Sequence, residues 1–203
     1  MMKYTVMCKL YGFFYADACK RELKNRFPGR NMPRAIQAEY KHIVLRAKDI
    51  GNSRLLSAYM MAAYFIALCR NTGLMPEENY QMFEAGLYDS RLLRKALGDA
   101  DSYLDVKKMP GRKVWEKVSH ERKYENDWVV DVLEKTDNYE LGYNYYECGI
   151  CKLCKDEGCF ELAKYLCRLD FVMADIMNMK LERTGTIAEG ADFCDFRYSR
   201  KSK

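Results

Sequence analysis

Apolar and basic positions are interleaved from Tyr4 to Phe27, which predicts a long helix stopped by the breaker pair Pro28-Gly29. Pro33 suits the first turn of a second helix, running through Ala35 to Ile50 before Gly51. Leu55 to Cys69 is the most apolar run of the chain, fifteen residues between Arg54 and Arg70. With Asn52 or Ser53 as its cap and Asn71-Thr72-Gly73 as its stop, it predicts a helix buried on all sides rather than a membrane span, for which it is too short. Pro76 opens a further helix with Glu77 and Glu78 in its first turn, continuing to Leu97 with a break expected near Gly86.

Beyond Met109-Pro110-Gly111-Arg112, read as a linker, the pattern changes. Trp128–Leu133 and Tyr139–Tyr146 are rich in β-branched and aromatic residues and flank Thr136-Asp137-Asn138, which predicts a hairpin. Helical segments follow at Gly149–Glu157 and Phe160–Met177. A second strand pair is expected at Leu181–Ile187 and Phe193–Tyr198. The fold class that results is α+β: a helical region over 1–110, then an α+β region over 111–203 in which two β-hairpins flank helices.

The charge is +5 over 203 residues. The excess is local, with eleven Lys/Arg against four Asp/Glu in the first fifty positions. Without a nucleic-acid-binding motif this reads as a solvated helix face, so no nucleic-acid or membrane partner is expected. The first residues lack a secretory apolar core, and nine cysteines in such a chain imply reduced thiols in a cytoplasmic protein. His42 and His120, the only histidines, have no companion at metal-binding spacing.

Six cysteines crowd between residues 148 and 194. Cys148, Cys151, Cys154 and Cys159 approach iron–sulfur spacing, but the last gap is one residue longer than the bacterial ferredoxin pattern and Phe160 stands where that pattern has proline. The same i, i+3, i+6 spacing also suits one buried helix face. A non-catalytic metal or iron–sulfur redox module held by these four residues is therefore one alternative, and a small-ligand sensor another.

The wider segment points elsewhere. Cys148 ends a strand; Gly158, Glu161 and Leu162 follow; Cys167 and Asp170 form a Cys-x-x-Asp step. Arg183, Thr184, Thr186 and Gly190 form an Arg-Thr-x-Thr-x-x-x-Gly stretch, and Cys194, Asp195, Phe196 and Arg197 close the series. In order and spacing this resembles the L-2-amino-thiazoline-4-carboxylic acid hydrolase family, over roughly residues 125 to 199. The resemblance implies an enzyme that hydrolyses a thiazoline-like ring towards a carbamoyl-cysteine, acting on a small molecule and requiring no cofactor, with a metal ion left open. The ring carbon needs a nucleophile and proton transfer, which Cys167, Asp170, Cys194 and Asp195 could supply, Cys167 or Cys194 being the expected nucleophile. Cys148, Arg183, Thr186 and Arg197 are candidate substrate contacts, with an arginine gripping the carboxylate. Asp170, in an apolar helix, requires a partner. Cys167 equally suits a core position.

Overall fold

The structure, a computed structural model, describes residues 1–51 and 53–201. Helix α3 (Leu56–Thr72) is its axis. Every residue from Tyr59 to Leu68 is buried, because helices α1 (Val6–Arg26), α2 (Met32–Arg46), α4 (Pro76–Asp89) and α8 (Gly149–Asp156) pack around it. Gly73, at φ 70°, ends α3 in the left-handed conformation that favours glycine. Asn52, one of the two expected caps, lies outside the described residues, as do Ser202 and Lys203. The Ser53 hydroxyl accepts from the Leu55 amide at 3.3 Å.

The helical segments depart from the sequence expectation in three places. α2 ends at Arg46 instead of continuing to Ile50, and Gly51 turns the chain at φ 60°. The expected break at Gly86 occurs at Ser90, whose hydroxyl accepts from the Leu93 amide at 3.2 Å and starts α5 (Arg91–Leu97). Gly86 is small for another reason. A Cβ there would lie 2.3 Å from the Ala18 carbonyl oxygen, so α1 and α4 cross backbone against backbone. The Met109–Arg112 segment is not an open linker but the first turn of α7 (Met109–His120), with Pro110 at a position that needs no amide hydrogen. The short α6 (Ala100–Tyr103) precedes it.

The strands also differ from two separate hairpins. β1 (Val129–Leu133), β2 (Leu141–Glu147), β3 (Met179–Glu182) and β4 (Cys194–Arg200) form one antiparallel sheet in the order β1-β2-β4-β3. β2 pairs with β4, Tyr145 opposite Cys194 and Leu141 opposite Tyr198, which fuses the two expected pairs. β3 stops at Glu182 because the chain then turns away into a loop over 183–193 that carries a single 3₁₀ turn at Ile187–Glu189. The class is α+β, helical in the first half with the strands in the second.

Alternation along β4 sorts its residues between two faces. Cys194, Phe196 and Tyr198 are buried towards the helices, whereas Asp195 and Arg197 lie on the other, half-exposed face. α9 (Ala163–Ile176) packs on β3, and α7 on β1. Among the described residues, no helix is long and apolar enough to cross a membrane.

α8 is fixed from both ends. The Glu157 carboxylate, only 5% exposed, takes Arg46 at 2.6 Å and Arg70 at 2.7 Å, tying α8 to α2 and α3. At the other end Gly149 lies under Trp128. A Cβ there would sit 2.5 Å from the Asn126 carbonyl oxygen and 2.7 Å from the Trp128 ring, so only glycine lets the helix start this close to the strand. This close approach places Cys148 at the helix N-terminus.

Candidate active site

A cavity of about 90 Å³ lies between the buried face of the sheet and helices α3, α8 and α9. Cys148, Cys167, Asp170 and Cys194 line it, together with Trp128, Tyr145, Phe196 and Tyr198. Three separate elements deliver the thiols. Cys148 caps α8, Cys167 lies one helical turn before Asp170 on α9, and Cys194 is the first residue of β4. Roomier clefts beside α1 are open to solvent and contain no thiol.

The thiols stand in different electrical surroundings. Burial pushes the Cys167 thiol far up, and the neighbouring Asp170 charge adds to that. Burial also lifts Cys194, to about 11, although its sulfur accepts the Ile187 amide hydrogen at 3.2 Å. Cys148 is held below the ordinary thiol range. The Cys151 thiol favours its thiolate, burial opposes it, and the amides of Cys151 and Ile150 at the start of α8 favour it again. Cys151 moves steeply the other way because it keeps the proton of the pair. A helix N-terminus stabilises negative charge in this manner. Of the three cavity cysteines, Cys148 is the one whose thiolate is favoured.

Asp170 meets the requirement for a partner. Arg183 donates to its Oδ2 at 2.9 Å, and also to the Cys167 carbonyl oxygen at 3.0 Å. The guanidinium, 6% exposed, sits 4.8 Å from the Phe171 ring centre and 5.0 Å from that of Phe196. Burial raises the Asp170 carboxyl to about 6, with Arg183 pulling against it. Asp170 therefore changes charge near neutral pH. Replacing Arg183 by Met is expected to destabilise the protein by about 2 kcal/mol at pH 7, because it leaves unpaired a carboxylate that is three-quarters shielded from solvent. At pH 5 the loss should shrink, since Asp170 is then largely protonated. Urea unfolding at the two pH values checks this, and an equal loss at both would show that packing, not the pair, carries the effect.

The remaining expected site residues lie around the cavity rather than in it. Asp195 faces away and holds the loop over 183–193 by its start. Its Oδ1 accepts the Thr184 and Gly185 amides at 2.9 and 3.0 Å, and its Oδ2 accepts the Thr184 hydroxyl at 2.8 Å. Thr186 is buried and donates to Glu189 at 2.7 Å, which closes the 3₁₀ turn. Arg197, on the same outer face as Asp195, donates to the Tyr143 carbonyl oxygen at 3.1 Å and to Asn144 at 2.8 Å. Asp195 and Thr186 thus shape the loop that seats Cys194.

The four-cysteine ligand set is not assembled. α8 is regular from Gly149 onwards, and the thiols associate two by two, Cys148 with Cys151 and Cys154 with Cys159. Among the described residues, no group of three or more His, Cys, Asp or Glu is placed to hold a metal ion. All nine cysteines are free.

Comparison with known families bears on the resemblance read from the sequence. The model of the L-2-amino-thiazoline-4-carboxylic acid hydrolase family matches residues 53–198. The chain belongs to that family. The match starts at α3, well before residue 125 where the recognisable motifs begin, so part of the helical half belongs to the family pattern. No curated protein and no solved structure matches the chain.

Residues missed in the sequence are the aromatic walls. Trp128, Tyr145 and Tyr198 line the cavity, and Tyr103 reaches it from α6. Alternation along β2 and β4 turns Tyr145 and Tyr198 inward, but nothing local distinguishes a cavity wall from an ordinary core position. Tyr103 carried no signal at all.

Proposed function

We propose that this protein opens a 2-amino-thiazoline ring by thiolate attack, with Cys148 as nucleophile and Asp170 as the group that moves protons. The observation that carries the reading is the meeting of a favoured thiolate and a carboxyl titrating near 6 in one aromatic-walled cavity of a hydrolase-family chain. Cys167 and Cys194, the nucleophiles expected from the sequence, are pushed up by burial and serve here as walls.

The chemistry follows from the groups present. The amidinium of L-2-amino-thiazoline-4-carboxylate is planar and cationic, and suits aromatic faces beside Asp170 Oδ1, the carboxylate oxygen that Arg183 leaves open. Cys148 Sγ adds to the ring carbon between sulfur and the two nitrogens, and the ring carbon–sulfur bond breaks. This leaves an isothiouronium on Cys148 and the freed substrate thiolate. Water then adds to the same carbon, with Asp170 accepting one of its protons. Collapse expels the Cys148 thiolate and gives a carbamoyl-cysteine. Of the two protons from water, one reaches the substrate thiolate through Asp170. The other leaves to solvent, equal to the one the amidinium brought. Free thiols throughout the chain suit a reducing compartment, and the cytoplasm is the proposed location.

The direct test is release of a thiol from 2-amino-thiazoline-4-carboxylate by the purified protein, followed with a thiol reagent and by mass. Catalytic release of a carbamoyl-cysteine is expected. Protein that binds the compound without any turnover would replace this reading with that of a ligand sensor.

A further inference from the structure

The proposed reaction leaves the substrate carboxylate without a partner. Arg183 is engaged by Asp170, and Arg197 lies on the far face of the sheet. A second hollow, of about 170 Å³, adjoins the thiol cavity and shares Leu55, Tyr103 and Tyr145 with it as common walls. Its other walls are Arg54, Lys108, Arg112, Trp115 and Tyr143. It thus has three cationic residues and no acidic one.

Those charges are unbalanced. Among the described residues, none of Arg54, Lys108 and Arg112 has a carboxylate within ion-pair distance. Arg112 is the telling one. It is only 3% exposed, yet its guanidinium donates to the backbone carbonyls of Asp105, at 3.1 Å, and Tyr103, with the Tyr103 ring centre 6.0 Å away and the Tyr143 phenol beside it, and meets no carboxylate. A buried cation without a counter-charge is costly, and an anion brought to it recovers that cost. In the same wall the Trp115 indole N–H is buried with no acceptor. Lys108 and Arg54 are exposed at the rim, Lys108 held by the Ser102 hydroxyl at 3.0 Å and Arg54 beside Gly111. The Tyr143 phenol, which burial lifts, feels both Arg112 and Arg54 pulling it back, so the two charges act on one point.

We propose that this hollow is a carboxylate subsite: Arg54, Lys108 and Arg112 hold the anionic group of a ligand whose ring occupies the adjoining thiol cavity. The inference rests on the reading of the cavity as a ring-binding site. It assigns specificity for carboxylate-bearing heterocycles to the helical half of the chain, at positions inside the matched span of the family. The ring then lies between Tyr103 and Tyr145 on the carboxylate side and Cys148 on the other.

Unreactive ring analogues test binding apart from chemistry. L-2-oxothiazolidine-4-carboxylate and thiazolidin-2-one differ only by the carboxylate, and calorimetry gives the affinity of each for the wild-type protein and for an Arg54→Gln, Lys108→Gln double variant. Both substituted positions are exposed, so the fold should survive, which circular dichroism checks; Arg112 is left in place because it supports the backbone. The wild type is expected to prefer the carboxylate by about tenfold or more, as charge-assisted hydrogen bonds provide, and the double variant to lose most of that preference. Equal affinity for the two analogues in the wild type, no measurable binding of either, or full preference retained in the variant would each overturn the subsite. Turnover of the thiazoline is read separately. Preference without turnover would keep the subsite and remove the hydrolytic reading, whereas turnover without preference would do the reverse.

Discussion

A Cys148→Ser variant is expected to retain its fold and lose turnover by about 10³-fold or more, the scale on which removing a covalent nucleophile acts. A serine hydroxyl is not ionised near neutral pH, so the amides of Ile150 and Cys151, which favour a thiolate, have no anion to stabilise. The substitution exchanges a half-buried sulfur for an oxygen at a helix cap where Ser is well suited, so stability should change little. Cys167→Ser and Cys194→Ser are expected to remain within about tenfold of wild type. They alter cavity walls whose thiols burial keeps protonated. The comparison is made by initial rates on the three variants, with urea midpoints to separate activity from folding. A dead Cys194 variant beside an active Cys148 variant would move the attack to β4.

Asp170→Asn is expected to lower the rate by about 10²-fold, the lower end of what a positioned general base supplies. The pH profile carries more information than the rate. The proposed water attack needs the carboxylate ionised, so kcat should rise with pH through a limb near 6, the value to which burial lifts Asp170. In the Asn variant that limb should disappear. Stability should run in the opposite sense. A carboxyl whose folded value is raised from 3.8 to about 6 binds its proton more tightly in the native state. Its contribution to stability is therefore greatest below 3.8 and declines as pH climbs to about 6, by up to about 3 kcal/mol. Glu157 with its two arginines behaves in the contrary way, held low and stabilising at neutral pH. Retention of the limb near 6 in Asp170→Asn would assign the titration to another group.

Helix α3 was the most legible element, because an apolar run with charges only at its ends can be satisfied by burial on all sides. The Cys-x-x-Asp spacing on α9 was legible for a similar reason, since i, i+3 puts both side chains over one face. The sheet was less so. Each strand could be read from its β-branched and aromatic residues, but β2 beside β4 is a pairing across about fifty residues, and no local signal specifies it. The linker reading of Met109–Arg112 failed because Pro and Gly suit a helical first turn as well as a break. Within the site, cysteine identity was visible while the difference among the cysteines was not. That difference comes from the helix start beneath Trp128, which Gly149 permits, and from the pairing of Cys148 with Cys151. Strand alternation lets only one of the adjacent pair Cys194 and Asp195 face the cavity; it is Cys194, while Asp195 and Arg197 share the opposite face.

The most direct test of the account is to quench the protein in acid during turnover of 2-amino-thiazoline-4-carboxylate and map the mass of each cysteine-containing peptide. The peptide bearing Cys148 is expected to carry the full mass of the ring-opened substrate, and this adduct to vanish in Cys148→Ser. An unmodified Cys148 peptide together with an adduct on Cys167 or Cys194, or steady turnover by Cys148→Ser, would contradict it.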